Sequence, residues 1–340
     1  MTIHSVTTTK ENHLPQAWSE LTWQQLCDLW TVKMRYGGNA DVSRAAALLV
    51  LLGLDVPSQA PTTDAATGEA VYKVFGRDGS IYHITPRELS QLALGALRWF
   101  DFPYGDPGEP AVKDDKGKVI KEARTAVRGY VGKLDDALSL PVETIKVGCR
   151  HFALPQVACN NITWQQYREL QALAPQLFAE GTSEEQALEL QARFLAHTLV
   201  PRSLALLETT GGTIRIRPHF VYNYNPLRGE AMVVFWKKRL KKESSQNATL
   251  FHIVFQTYQT ALSYYAAAYP LLFGDDGRKT KVHDALSGEV STINTVMKYA
   301  GYSEQQQVYD SNLPFVLDIL NTMSKDAKEI EKMNAKIKKK

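Results

Sequence analysis

The sequence predicts an α+β fold that is predominantly helical, with two copies of a helix–helix–β-hairpin–helix unit and a helical C-terminal extension. A helix-start motif occurs twice, as "LTWQQL" from residue 21 and as "ITWQQY" from residue 162. The sequence "LPQ" precedes both copies, and an aromatic alternation that ends in proline follows both, as "IYHITP" and "VYNYNP". The matches keep the same order at offsets of 140 or 141 residues. This regularity favours an internal duplication over chance recurrence of common helix caps.

Each helix-start motif has the residue pattern of a capping box. Thr22 and Gln25 in the first copy are placed to exchange two hydrogen bonds between side chain and backbone, as are Thr163 and Gln166 in the second. The apolar residues on either side of each cap have the spacing of a hydrophobic staple. A helix is therefore predicted to begin after each threonine.

A second apolar helix, a hairpin and a third helix are predicted after each capped helix. In the first copy, the Asp-Gly pair at 78–79 supplies the turn of "VYKVFGRDGSIYHI", and Thr85 caps a third helix with Glu88. In the second copy, the hairpin is "TIRIRPHFVYNYN" with its turn at 217–218, and the third helix is "LRGEAMVVFWKKRLKK".

These patterns divide the chain into four segments. Residues 1–100 form the first repeat, and residues 101–153 form a hairpin or loop insertion and a connector. Residues 154–242 form the second repeat, and residues 243–340 form a helical C-terminal region with a basic tail. The apolar run "ATLFHIVFQTYQTALSYYAAAYPLLF" in the last segment predicts a buried helix, because almost every face is apolar.

The positive charge of the chain is concentrated in two short segments. The net charge is +3, but "KKRLKK" at 237–242 carries +5 and the last twenty residues carry +4, which leaves −6 for the rest of the chain. This distribution argues against a protein built wholly around a nucleic-acid surface. The three cysteines show no metal-binding spacing, so we expect reduced thiols in a cytoplasm. No apolar run approaches the ~20 residues of a membrane helix, so no membrane partner is expected.

No motif of a catalytic or cofactor site is present. The sequence lacks a phosphate-binding glycine loop, a histidine pair with metal-ligand spacing and a nucleophile elbow. The glycines of "TTGGT" at 209–213 are interpreted as a turn into the hairpin. We therefore predict no cofactor, no metal and no enzymatic activity.

Two groups of residues are candidates for an interaction surface. The basic helix end and the aromatic alternation before it contribute Trp236, Lys237, Lys238, Arg239, Lys241, Lys242, Tyr222 and Tyr224. The cations could contact phosphates, but a charged helix end that favours the macrodipole is the preferred interpretation. The tyrosines would suit a protein–protein contact if exposed, and ordinary core packing if buried.

The capped helices carry a resemblance to a known class of proteins. "SELTWQQLCDLW" and "LPQVACNNITWQQYRELQAL" resemble proteins from the tail-morphogenesis region of phages and prophages of gut bacteria. The ending "YSEQQQVYDSNLPFVLDILNTMSKDAKEIEKMN" is similar to the C-termini of tail-assembly chaperones. The resemblance implies a non-enzymatic structural or assembly protein in the host cytoplasm or the virion. Its partners would be other phage structural or assembly proteins, or a second copy of the chain.

Two alternatives from other classes remain. A nucleic-acid-associated protein would use the basic helix, and its binding would be sensitive to salt. An enzyme would place its site in a cleft between the two repeats. Both are less favoured than the assembly protein.

Overall fold

The structure is a computed structural model, and its described part consists of residues 14–36, 40–64, 68–76, 79–97, 112–113, 119–121, 138–201, 207–210, 213–216, 226–241, 245–273 and 282–337. The chain divides into two compact units, Met1–Asp136 and Ala137–Lys340. Helices dominate and the sheets are small, which confirms the predicted α+β, mainly helical fold.

The first unit has three α-helices and five strands among its described residues. Its helices are α1 (Trp23–Tyr36), α2 (Ala40–Leu51) and α3 (Pro86–Ala96), after a 3-10 turn at Trp18–Glu20. Its strands are β1 (Thr62–Thr63), β2 (Ala70–Phe75), β3 (Ile81–Ile84), β4 (Val112–Lys113) and β5 (Val119–Lys121).

Strands β1, β2 and β3 form an antiparallel sheet in that order, beside a layer of helices. The Gly76 N–H donates to the Ser80 carbonyl at 2.8 Å, and Gly79 has a φ of 83°, which glycine adopts without strain. This confirms the hairpin predicted around 78–79. Helix α1 packs on α2, and α2 packs on α3. The core of this unit includes Leu26, Leu29, Trp30, Leu48, Leu49, Val74, Leu89 and Ala93.

The second unit begins with two strands in the segment that the sequence assigned to the connector, β6 (Thr144–Val147) and β7 (Arg150–Ala153). They form a three-stranded sheet with β8 (Val200–Pro201), in the order β6, β7, β8. Strands β9 (Leu207–Thr210) and β10 (Thr213–Ile216) form a separate hairpin. The α-helices of this unit are α4 (Trp164–Leu173), α5 (Glu184–Thr198), α6 (Pro226–Leu240), α7 (Ser245–Ala268), α8 (Pro270–Phe273), α9 (Val282–Ala300), α10 (Gln305–Tyr309) and α11 (Leu313–Ile337). Two 3-10 turns lie at Val157–Cys159 and Gln176–Phe178.

An aromatic cluster forms the centre of the second unit. Phe194 of α5 makes edge contacts with three rings of α7, at centroid distances of 5.3 to 5.7 Å. These rings belong to Phe251, Phe255 and Tyr258. Helix α7 is buried on most faces from Leu250 to Tyr258, as its apolar sequence predicted, and the three alanines at its end are exposed. The C-terminal helices therefore share a core with the second repeat.

The two units share part of their order of elements. In each, a capped helix is followed by a second helix, a hairpin and a third helix, and the second helix packs on both others. The turn predicted for the hairpin of the second copy, at 217–218, lies outside the described residues, whereas Thr213–Ile216 pairs with Leu207–Thr210 before it in the chain. The glycines of the sequence between them suit a two-residue hairpin connection better than Arg-Pro does. The duplication itself remains a prediction.

Candidate interaction surfaces

Helix α6, which carries the basic run, lies between α5 and the β6–β7 hairpin. Glu230 and Lys237 reach α5, whereas Phe235 and Trp236 contact Phe152 of the hairpin at centroid distances of 5.6 and 4.8 Å. Because successive helical residues are rotated by about 100°, the three adjacent cations Lys237, Lys238 and Arg239 of α6 cannot share one face. The basic run is therefore distributed around the helix.

The face of α6 toward α5 carries ion pairs. Lys237 Nζ lies 2.7 Å from Glu189 Oε2 and 3.7 Å from Glu185 Oε1, and Arg193 bridges Glu189 and Glu230 at 3.0 and 2.8 Å. The hydrogen bond from Lys237 lowers the pKa of Glu189, and the same bond raises the pKa of Lys237. The charge of Lys237 is thus matched by glutamates of its own unit.

Trp236 faces the core. It has 0% exposure and packs against Phe152 and Phe235. The prediction that its ring belongs to an exposed interaction surface is therefore wrong: the apolar face of α6 has to be buried on the hairpin, and Trp236 lies at its centre.

Two arginines pack on Phe235. The guanidinium carbons of Arg150 and Arg239 lie 5.2 and 5.4 Å from the ring centroid, which is within cation–π range. Arg150 Nη1 also donates to the Met232 sulfur at 3.4 Å. The guanidinium of Arg239 lies over Gly148, where a Cβ would clash with it, and where a φ of 63° favours glycine. Both guanidinium groups are therefore held in place by packing.

Two further candidate residues are lysines on the surface of the second unit. Lys238 and Lys241 are exposed, and no described residue forms an ion pair with either. Lys242, Tyr222 and Tyr224 lie outside the described residues.

Sequence reasoning missed Arg150, Phe235 and Gly148. They come from a hairpin and a helix that are about 80 residues apart in the chain, as the contact from Arg150 to Met232 shows. The one available signal was the alternation of "TIKVGCRHFA" around a glycine, which is typical of a hairpin. It indicates a strand pair but not the element on which that pair packs.

A second candidate surface is the distal half of α11. The start of this helix is anchored by the buried residues Leu313, Val316 and Leu317. From Lys325 to Asn334, every residue whose exposure is described is exposed, whichever way it points from the helix. Ile330 and Met333 have 56% and 57% of their surface in contact with solvent. This part of the helix therefore shows apolar side chains with no described neighbour covering them.

A shallow depression beside α4 is lined by Gln165, Arg168, Glu169, Ala172 and Tyr309 and is open to solvent. No group of three or more His, Cys, Asp or Glu in the described part of the chain could hold a metal ion. Burial, together with the charge of Arg193, lowers the pKa of His197 to about 4, so this imidazole is neutral at pH 7.

No helix among the described residues combines the length and the apolar character that crossing a membrane requires. No family model, no curated protein and no solved structure matches this chain.

Proposed function

We propose that this chain is a non-enzymatic phage or prophage structural or assembly protein that acts by binding other proteins, in tail morphogenesis. The phage setting is supported by the resemblance of the two capped helices and of the C-terminal sequence. The binding role is supported by one observation above others, the distal half of α11. The protein would work in the host cytoplasm or as part of the virion.

The distal half of α11 has the properties of a helix that needs a partner. A single helix shorter than about 12–15 residues is marginal in water without tertiary contacts. Residues 325–337 form such a segment, and they continue the helix beyond its anchored start. Packing against another protein would stabilise the helix and remove two large apolar side chains from water.

The apolar residues of this segment are spaced for helix recognition. Ile330 and Met333 are three residues apart, so they lie on the same side of the helix, and Ala327 lies three residues before Ile330. Amphipathic helices of this kind insert their apolar side into a groove of a partner or pack along a second helix. The partner is another phage structural or assembly protein, with self-association as the alternative.

The experiment compares two double variants in the native host. Ile330→Gln with Met333→Gln removes the apolar stripe, and Lys328→Gln with Lys332→Gln is the matched control on the same helix; glutamine keeps a high helix propensity. We expect a tail or capsid protein to co-purify with the wild type and the control at low and high salt. Its yield with the apolar variant should fall about tenfold, the effect of about 1.4 kcal/mol.

Two outcomes would contradict the proposal. One is that no phage protein co-purifies at either salt concentration. The other is that the same partner is recovered equally with the apolar variant, which would place the contact elsewhere in the chain.

A further inference from the structure

The C-terminal end of α6 and the β6–β7 hairpin bring two arginines onto one phenyl ring, and two lysines of the same basic run follow that ring in the chain. Arg150 and Arg239 pack on Phe235, as their distances of 5.2 and 5.4 Å to its centroid show. Lys238 lies three residues after Phe235, which places it on the adjoining side of the helix, and Lys241 follows one turn later. Strand and helix thus contribute to one basic surface, which is separate from the distal half of α11 in its residues and its chemistry.

The charges of Arg150, Lys238 and Lys241 differ from that of Lys237 in their acidic neighbours. Lys237 has two glutamates within 3.7 Å. Among the described residues, no acidic group pairs with Arg150, Lys238 or Lys241. Like charges that are close to each other repel, and an anion bound between them would relieve that repulsion. The surface is therefore suited to an anionic partner from outside the chain.

The arrangement favours a phosphate backbone over a folded acidic protein. A guanidinium group offers its donors in a planar fork that matches phosphate oxygens, and the packing on Phe235 holds two such forks in advance of binding. The lysines that follow add single charges along the helix, which suits a ligand whose charges repeat at regular intervals.

The same arrangement predicts that base sequence is not read. The ring of Phe235 is occupied by the two guanidinium groups, and Trp236 is buried in the core. Neither aromatic residue is available as a platform on which bases could stack. Contacts to phosphates position a nucleic acid without reading its sequence.

We propose that Arg150, Lys238, Arg239 and Lys241 form a binding site for the phosphodiester backbone of nucleic acid, without sequence preference. Lys237, although it belongs to the same basic run, is not part of this site. The site is a further function of the chain, and its test is independent of the contact made by α11.

The experiment measures binding of the full chain to a random-sequence DNA duplex by fluorescence anisotropy, between about 50 and 200 mM salt. For the wild type, log K should fall with log salt with a slope of about −3 to −4, as expected for three or four phosphate contacts. Lys238→Gln and Arg150→Gln should each reduce the size of the slope by about 0.9. Lys237→Gln, which removes the same charge from the position before Lys238 in the same helix, should leave the slope unchanged.

A conservative variant separates charge from packing. Arg150→Lys keeps the charge but loses the planar group, so the slope should stay near that of the wild type while the affinity falls. Thermal unfolding of every variant shows whether the hairpin still packs on α6.

Three outcomes would overturn the proposal. The duplex could fail to bind at the lowest salt concentration. Lys237→Gln could reduce the slope as much as Lys238→Gln does. Polyglutamate at the same charge concentration could displace the duplex completely, which would assign the surface to an acidic protein instead.

Discussion

The capped starts of α1 and α4 have the same local geometry in different surroundings. The N–H of the cap threonine donates to the glutamine Oε1 at 2.9 Å in both, and the return bond from the glutamine N–H to the threonine hydroxyl is 3.2 Å in both. In α1 these bonds are exposed to solvent. In α4 both Thr163 and Gln166 have 1% exposure.

The buried second cap also forms hydrogen bonds with other elements of its unit. Gln166 Nε2 donates to the His197 carbonyl at 2.6 Å, which links α4 to the end of α5. The Trp164 N–H donates to the Ser311 carbonyl at 2.8 Å, and the Leu313 N–H donates to the Ile162 carbonyl at 2.9 Å. The same motif therefore begins a helix in both places, but only the second one also joins three elements of its unit.

The largest expected difference comes from replacing the glutamine of each box. Gln166→Leu leaves the Thr163 N–H and the His197 carbonyl buried without their partner, which should cost about 4 kcal/mol of local stability. Gln25→Leu returns exposed groups to water and should cost about 1 kcal/mol. Backbone hydrogen exchange of peptides that cover α1 and α4 measures both losses. Equal losses in the two helices would show that burial of the second cap adds nothing.

A smaller loss of stability should appear on acidification. Burial, with a contribution from the charge of Arg193, lowers the pKa of His197 to about 4, against about 6.5 in the unfolded chain. The unfolded state then binds more protons, so stability is complete above pH 6.5 and falls as the pH drops toward 4, by about 3 kcal/mol. Helix α1 lies in the first unit, whereas His197 lies in the second, so α1 should not follow this titration.

The measurement is the exchange protection of α1 and α4 between pH 7 and pH 4, corrected for the intrinsic rate at each pH. His197→Gln serves as the control, because it removes the titrating group and should flatten the profile of α4. A profile of α4 that keeps its slope in this variant would assign the titration to another residue.

The smallest expected effect is a gain in the stability of α1 from a substitution at its N-cap. Thr22→Asp should stabilise α1 by about 0.5 kcal/mol, because aspartate is a stronger N-cap and its charge favours the helix dipole. The same change at Thr163 buries a carboxylate and should destabilise α4 by about 2 kcal/mol. Thermal unfolding of the two variants at pH 7 checks the opposite signs. A gain at both positions would mean that water reaches the second cap.

The sequence could predict both caps because a capping box depends on residues only three positions apart. Thr85 with Glu88 confirms a third box of the same kind, with bonds of 3.1 and 3.2 Å. The sequence could not predict the hydrogen bonds from Gln166 to His197 and from Leu313 to Ile162, because they join residues far apart in the chain. Ala158 and Cys159, with φ of 51° and 54°, gave no signal either, since left-handed conformations are typical of glycine.

The basic surface could likewise be predicted only in part from the sequence. The run of cations in α6 was visible in the sequence, but its division among faces depends on what packs on each side of the helix. Lys237 is paired because α5 brings Glu189 beside it, and Arg239 is held because Gly148 leaves room for it. Neither neighbour can be found from the spacing of residues around α6.

The bridge between Thr163 and Asn312 bears on how the second unit is made. These residues are 149 positions apart, a contact of high order that closes only after a long stretch of chain has been ordered. At about 5–20 residues per second, a ribosome needs roughly 7 to 30 s to add that stretch. During this interval the Trp164 amide and the Ile162 carbonyl lack their partners at Ser311 and Leu313, so α4 cannot reach its final state before those residues have been added. Completion of this unit therefore depends on the arrival of the first turn of α11.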